Sequence, residues 1–108
     1  MASVTSLSLA RNDLGDDGAE ALSIGLKENK SIKTLDLSGR GYGDGLIGPR
    51  GATALASAIA VIASLTSLNL GGNDLGAEGA TALAVGLAAN SSLTVTDMRY
   101  NGLDTESA

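Results

Sequence analysis

The sequence predicts an α/β fold built as a curved solenoid, with short parallel strands along one face and helices along the other. Three observations predict it. A strand-like segment recurs, starting at Val4, Ile32, Leu65 and Leu93, so at spacings of 28, 33 and 28 residues. Within each copy the apolar residues fall first at period two and then at helical spacing. Each complete copy carries Gly-Ala-x-Ala-Leu where the period changes, at Gly18–Leu22, Gly51–Leu55 and Gly79–Leu83.

The strands come first. Leu7 and Leu9 alternate with Ser6 and Ser8; Leu35 and Leu37, then Leu68 and Leu70, repeat the pattern, and Thr96 and Met98 close it. The helices follow from Ala19, Leu22 and Leu26, from Ala52, Leu55 and Ile59, and from Ala80, Leu83 and Leu87. A strand that returns through a helix to the next strand must pair with it in parallel. Strands pack ~4.8 Å apart whereas helices need ~8–10 Å, so stacked units curve with the strands inside. Ala- and Gly-rich helices limit the mismatch. Asn12, Asn73 and Asn101 sit just past their strands, where a buried Asn satisfies backbone groups left unpaired by the turning chain. Asn29 and Asn90 end two helices and are expected in left-handed C-cap conformation. Gly15, Gly43 and Gly76 permit the turn into the next segment.

The pattern L-x-x-L-x-L-x-x-N-x-L followed by G-A-x-A-L resembles leucine-rich repeats over residues 3 to 108. The 28-residue unit with a full helix is similar to the ribonuclease-inhibitor-like class, also seen in NOD-like receptors and Ran GTPase-activating proteins. The resemblance implies a curved right-handed solenoid and recognition of proteins. It divides the chain, residues 1–108, into one leucine-rich repeat segment with units 3–31, 32–64, 65–92 and a partial 93–108. Asn101 to Ala108 align with Asn73 to Ala80, so a fourth helix is expected to follow. Neither end carries a polar capping unit. The expectation is therefore part of a longer array, or self-association through the uncapped ends, with Met98 and Leu103 lacking a covering helix.

Composition narrows the function. The chain has no Cys and no His, and its net charge is −5. That removes a thiol nucleophile, the commonest general base and the commonest metal ligands, and it disfavours nucleic acid as a partner. No cofactor, metal or catalytic residue is expected. The start lacks a signal peptide, and the longest apolar stretch, Ala52 to Ala63, is shorter than the ~20 residues that span a bilayer. A cytoplasmic setting without membrane contact is expected, and the sequons at Asn29 and Asn90 are read as chance.

The second unit breaks the pattern. Arg40 takes the Asn position, Tyr42 the next Leu position, and five extra residues lie between Gly43 and Gly51. Arg40 is expected to point outward, because a charge cannot replace a buried Asn without solvent or a partner. The insertion reads as a tolerated loop or as a partner contact built from Arg40, Tyr42, Leu46, Ile47 and Arg50. Gly43 to Gly48 also spell G-x-G-x-x-G, but the next strand carries Asn69 where a dinucleotide site expects an acid.

With leucines facing the core, the concave face displays Ser6, Ser8 and Ala10, then Thr34, Asp36 and Ser38, then Ser67, Asn69 and Gly71, then Val95, Asp97 and Arg99. This is a mildly acidic polar sheet. It is either ordinary solvated surface or a site where Asp36, Asn69 and Asp97 favour a basic or polar protein partner. Arg11, Arg99 and Tyr100 are the side chains of hot-spot type. Candidate partner-binding residues are thus Arg11, Asp36, Arg40, Tyr42, Asn69, Asp97, Arg99 and Tyr100. The uncharged helix spans 51–63 and 79–89 offer a second, outer contact. The function expected is a non-catalytic protein-interaction module. The alternative is a GTPase-activating or other GTPase-regulating protein, with Arg40 donating positive charge to a transferring phosphate. A cation site at Asp13, Asp16 and Asp17 does not match calcium-loop spacing.

Overall fold

The computed structural model describes residues 4–43 and 45–101. Among them, three-residue strands alternate with helices as β1 (Ser6–Ser8), α1 (Gly15–Glu28), β2 (Thr34–Asp36), α2 (Pro49–Ile59), β3 (Ser67–Asn69), α3 (Gly76–Ala89) and β4 (Val95–Asp97). The strands form one parallel sheet in sequence order. Leu7 pairs with Leu35, Leu35 with Leu68, and Leu68 with Thr96. This is the strand-and-helix solenoid that the sequence period predicts.

A second apolar row runs just beyond the strands. Backbone pairing continues there from Leu9 to Asp36 (2.9 Å), Leu37 to Asn69 (2.8 Å) and Leu70 to Asp97 (2.8 Å). Leu35, Leu37, Leu68 and Leu70 are buried with Ala19, Leu26, Ala52, Leu55, Ile59 and Leu83 of the helices. Leu7, Leu9 and Met98 are only partly covered. α2 lies between α1 and α3, so most of its residues are buried, whereas α1 and α3 each bury three. Gly86 of α3 permits the closest helix approach: an added Cβ would lie 2.5 Å from the Ala56 carbonyl oxygen of α2.

Side chains complete what such short strands leave open. Asn73 donates to the carbonyls of Leu37 (2.9 Å) and Leu70 (3.1 Å), and its Oδ1 accepts the Ile47 N–H at 3.0 Å. Asn101 donates to Leu70 and Met98 in the same way and accepts from Leu75. Asn12 departs from the expected burial. It is exposed and reaches only its neighbour Ala10, because no unit packs on that side of β1 among the described residues.

The other edge of the sheet holds a second set. Asn29 and Asn90 are not left-handed caps. Their φ, ψ values are −87, 136 and −82, 133, which is extended backbone. Their side chains do the work instead. Asn90 donates to the carbonyls of Ile59 and Ile62, both at 2.8 Å, while its Oδ1 accepts from Ser92 and Leu93. Asn29 Oδ1 accepts from Ser31 and Ile32. Ser31, Ser64 and Ser92, each the last residue of its unit, donate back to a carbonyl at the start of that unit, at Val4, Ile32 and Leu65.

The insertion also sits differently from the sequence alignment. Ile47, not Tyr42, takes the leucine position before α2. It is 1% exposed and bonded to Asn73 as Leu75 is to Asn101, whereas Tyr42 is 74% exposed. The extra residues therefore precede Ile47, and burial removes Ile47 from any partner contact. Leu46 is half-buried. Asp44 and Leu103, with the expected fourth-helix start, lie outside the described residues. Among the described residues no helix is long and apolar enough to cross a membrane.

Two contrasts test this packing by urea denaturation. Asn73→Ala is expected to cost about 2–3 kcal/mol, since it strands buried backbone groups, while Asn12→Ala costs close to nothing. Gly86→Ala is expected to destabilise by about 1–3 kcal/mol through overpacking. Gly25→Ala, in an exposed turn of α1 where an added Cβ meets nothing within 4 Å, is expected to stabilise by about 0.5–1 kcal/mol.

Candidate functional site

Each strand ends at an equivalent position held by Ser8, Asp36, Asn69 or Asp97, and three of these side chains fold back on their own backbone. Asp36 Oδ1 accepts from the Ser38 N–H (3.0 Å) and hydroxyl (2.7 Å). Asn69 Oδ1 accepts from the Gly71 N–H at 2.9 Å, and Asp97 Oδ1 from the Arg99 N–H at 3.0 Å. These are Asx turns, which steer the chain out of the sheet. The acceptors expected to meet a basic partner are thus already engaged in turning the chain.

The turns bring arginines together. Arg11, Arg40, Asn69, Asp97, Arg99 and Tyr100 line one hollow of about 490 Å³ at the C-terminal ends of the strands. Asp36 and Tyr42 do not line it. Its floor is Ser38, Gly39, Gly71 and Gly72. A Cβ at Gly39 would lie 2.6 Å from the Gly72 carbonyl oxygen, so the two backbones can approach only as glycines. Gly72 has φ +69, and the equivalent Arg11 and Tyr100 adopt 59 and 62. Left-handed backbone is unfavourable for such residues, and it aims both side chains at the rim.

Two of the arginines carry a carboxylate. Arg40 Nη1 meets Asp13 Oδ1 and Oδ2 at 3.0 and 3.2 Å, and both side chains are about half exposed, as the outward expectation for Arg40 requires. Arg99 grips Asp97 in a fork, Nε to Oδ1 at 3.1 Å and Nη2 to Oδ2 at 2.9 Å. The Arg99 side-chain and backbone hydrogen bonds hold the Asp97 carboxyl below the usual carboxylate range, and Asp97 raises the Arg99 guanidinium in turn. Arg11 has no ion-pair partner among the described residues.

The remaining acids brace the helices. Asp16 Oδ1 accepts the N–H groups of Gly48 (2.8 Å) and Gly51 (2.7 Å), so α1 caps the N-terminus of α2. Those are the amides a phosphate would need in the glycine-rich stretch. Arg50 spans back to Asp17 at 2.7 Å and Glu20 at 3.4 Å, and these acids raise its guanidinium further. On the outer face, Ala56, Ala60, Val85 and Gly86 line a shallow apolar depression of about 370 Å³ between α2 and α3. The sequence reading did not anticipate the Asp16 cap, the Arg40–Asp13 pair or the glycine floor. Gly71-Gly72 beside the Asn ladder was the available signal for the floor.

The family model described as "Leucine Rich repeat" matches residues 1–23 and 62–84. No curated protein matches the chain in sequence. Among solved structures the chain is similar to "Leiomodin-1 Actin-Binding Site 2 (ABS2)", with a TM-score of 0.79 at 20% identity over 98% of this chain. It spans 60% of the length of that structure. The family match falls on β1 and β3 with the first part of the helix that follows each, and the likeness to the solved structure is one of fold.

The Asp97–Arg99 pair predicts a titration. By NMR, the Asp97 carboxyl is expected to titrate below an ordinary Asp, and Arg99→Ala to bring it back up. Because the folded-state value is depressed, the pair's stabilisation is present above the unfolded carboxylate range and fades as pH falls through the folded value.

Proposed function

We propose that this leucine-rich repeat chain is a non-catalytic module that binds another protein at the C-terminal edge of its sheet. The observation that carries the reading is the hollow itself, where Arg11, Arg40, Arg99 and Tyr100 converge on a braced sheet edge. Arg and Tyr are the side chains in which binding energy concentrates at protein interfaces. The similar leiomodin-1 structure is titled an actin-binding site, so the same fold serves protein contact there. In this reading Asn69 and Asp97 shape the hollow rather than contact the partner first. Asp36 contributes through its turn, and Tyr42, exposed on the inserted loop, adds a contact beyond the lining.

The finer assignments extend the same reading. The 14-residue helices α1 and α3 support the ribonuclease-inhibitor-like class. The half-covered Val4, Leu7 and Leu9 at one side and Met98 at the other support units 3–31, 32–64, 65–92 and 93–108 stacking within a longer array or on a second copy. The setting proposed is cytoplasmic. The GTPase-regulating alternative gains no support from the family match or from the similar structure.

Affinity capture from native extract tests the site. Arg11→Ala/Arg99→Ala/Tyr100→Ala is expected to lose a protein that the unaltered chain retains. Val85→Lys on the outer face is expected to keep it. Loss with Val85→Lys and retention with the triple variant would move the site to the helices.

A further inference from the structure

Resting on that reading, we infer that the hollow takes an extended segment rich in Asp and Glu side chains. The inference begins with where the cations lie. The chain has four arginines and three lysines. Arg11, Arg40 and Arg99 all sit beyond the C-terminal ends of the strands and line one hollow. Lys27 lies in the last turn of α1, and Lys30 and Lys33 lie on the way into β2, so the lysines occupy the opposite edge. The two tyrosines follow the arginines: Tyr42 is 74% and Tyr100 80% exposed, and Tyr42 lies two residues past Arg40, Tyr100 one past Arg99. An acidic chain has thus gathered three of its four guanidinium groups and the Tyr100 ring at one hollow.

The chemistry of the edge selects the ligand. A planar guanidinium meets a carboxylate through two parallel hydrogen bonds, which an ammonium cannot do. Arg99 and Asp97 already show that fork at this site, whereas Arg40 reaches both oxygens of Asp13 through Nη1 alone. Arg99 thus holds a carboxylate in the geometry an incoming one would adopt. Asp13 and Asp97 set the limit on affinity. Both pairs are at the surface, where such pairs contribute little, so an arriving carboxylate exchanges with them at little cost. Arg11 needs no exchange and is the anchor. The glycine floor leaves no side chain to obstruct a backbone lying across Gly39, Gly71 and Gly72. Arg11, Arg40 and Arg99 follow β1, β2 and β4, so they spread along the sheet edge, which suits an extended segment rather than a single small acid.

The test uses labelled, C-terminally amidated Glu-Ser, Lys-Ser and Gln-Ser repeat peptides with the intact chain, read by fluorescence anisotropy at low salt. Amidation leaves side-chain carboxylates as the only anionic groups. The Glu-Ser peptide is expected to bind and to weaken with added salt. Arg11→Ala should weaken it about tenfold, the scale of one charge-assisted hydrogen bond lost. Lys30→Ala removes the same charge from the other edge and should leave binding unchanged. Circular dichroism confirms that both variants are folded. Equal loss with Lys30→Ala would show attraction by net charge alone and overturn the inference. So would preferential binding of Lys-Ser or Gln-Ser peptide abolished by Tyr100→Ala, which leaves the hollow as a protein site with a different occupant. If no peptide binds and the triple variant still captures its partner, both readings fail together.

Discussion

Three-residue strands cannot hold a sheet together by themselves, and everything else in the molecule answers that constraint. Each strand offers few ladder bonds before the chain turns away, and every turn leaves backbone groups inside the stack that need partners. Asn73 and Asn101 supply them at one edge of the sheet, Asn90 and the serines at 31, 64 and 92 at the other. The asparagines reach across to the preceding unit, while each serine closes its own unit end to start, so each strand–helix unit is finished by the next. The leucine rows then pack against Ala- and Gly-rich helices that can come close.

This interdependence explains which parts of the fold were legible in the sequence. The period of the leucines marked strands, helices and their order, because burial imposes it directly. The Asn ladder was legible at Asn73 and Asn101 but not at Asn12, whose burial depends on a neighbour rather than on its own motif. The role of Asn29 and Asn90 was misread as a backbone preference when it lies in the side chain. The serine set escaped notice although Ser-Ile or Ser-Leu spans three of the unit boundaries. At the insertion, the repeat spacing pointed to Tyr42 as the leucine substitute. Depth of burial decided for Ile47, since only a residue five places later can reach the core beside Asn73.

The candidate site was legible as a list of residues but not as an arrangement. Six of its eight residues come together in one hollow, and this follows from parallel register, which places each turn beside the last. The electrostatic character did not follow from the sequence. Counting Asp36, Asn69 and Asp97 suggested an acidic face, yet Asx turns draw those oxygens back onto the backbone and leave guanidinium groups at the rim. Positive φ at Arg11 and Tyr100 is likewise a property of the turn that residue type hides.

The two Asn-x-Ser triplets, read from sequence as chance, acquire a meaning from the bonds they make. Asn90 spends both of its amide hydrogens on the Ile59 and Ile62 carbonyls, and the Ser92 hydroxyl is committed to Leu65. An oligosaccharide on Asn90 would take one of those hydrogens and place a bulky sugar where α3 enters β4. Carbohydrate attachment and the native turn therefore exclude one another at this position.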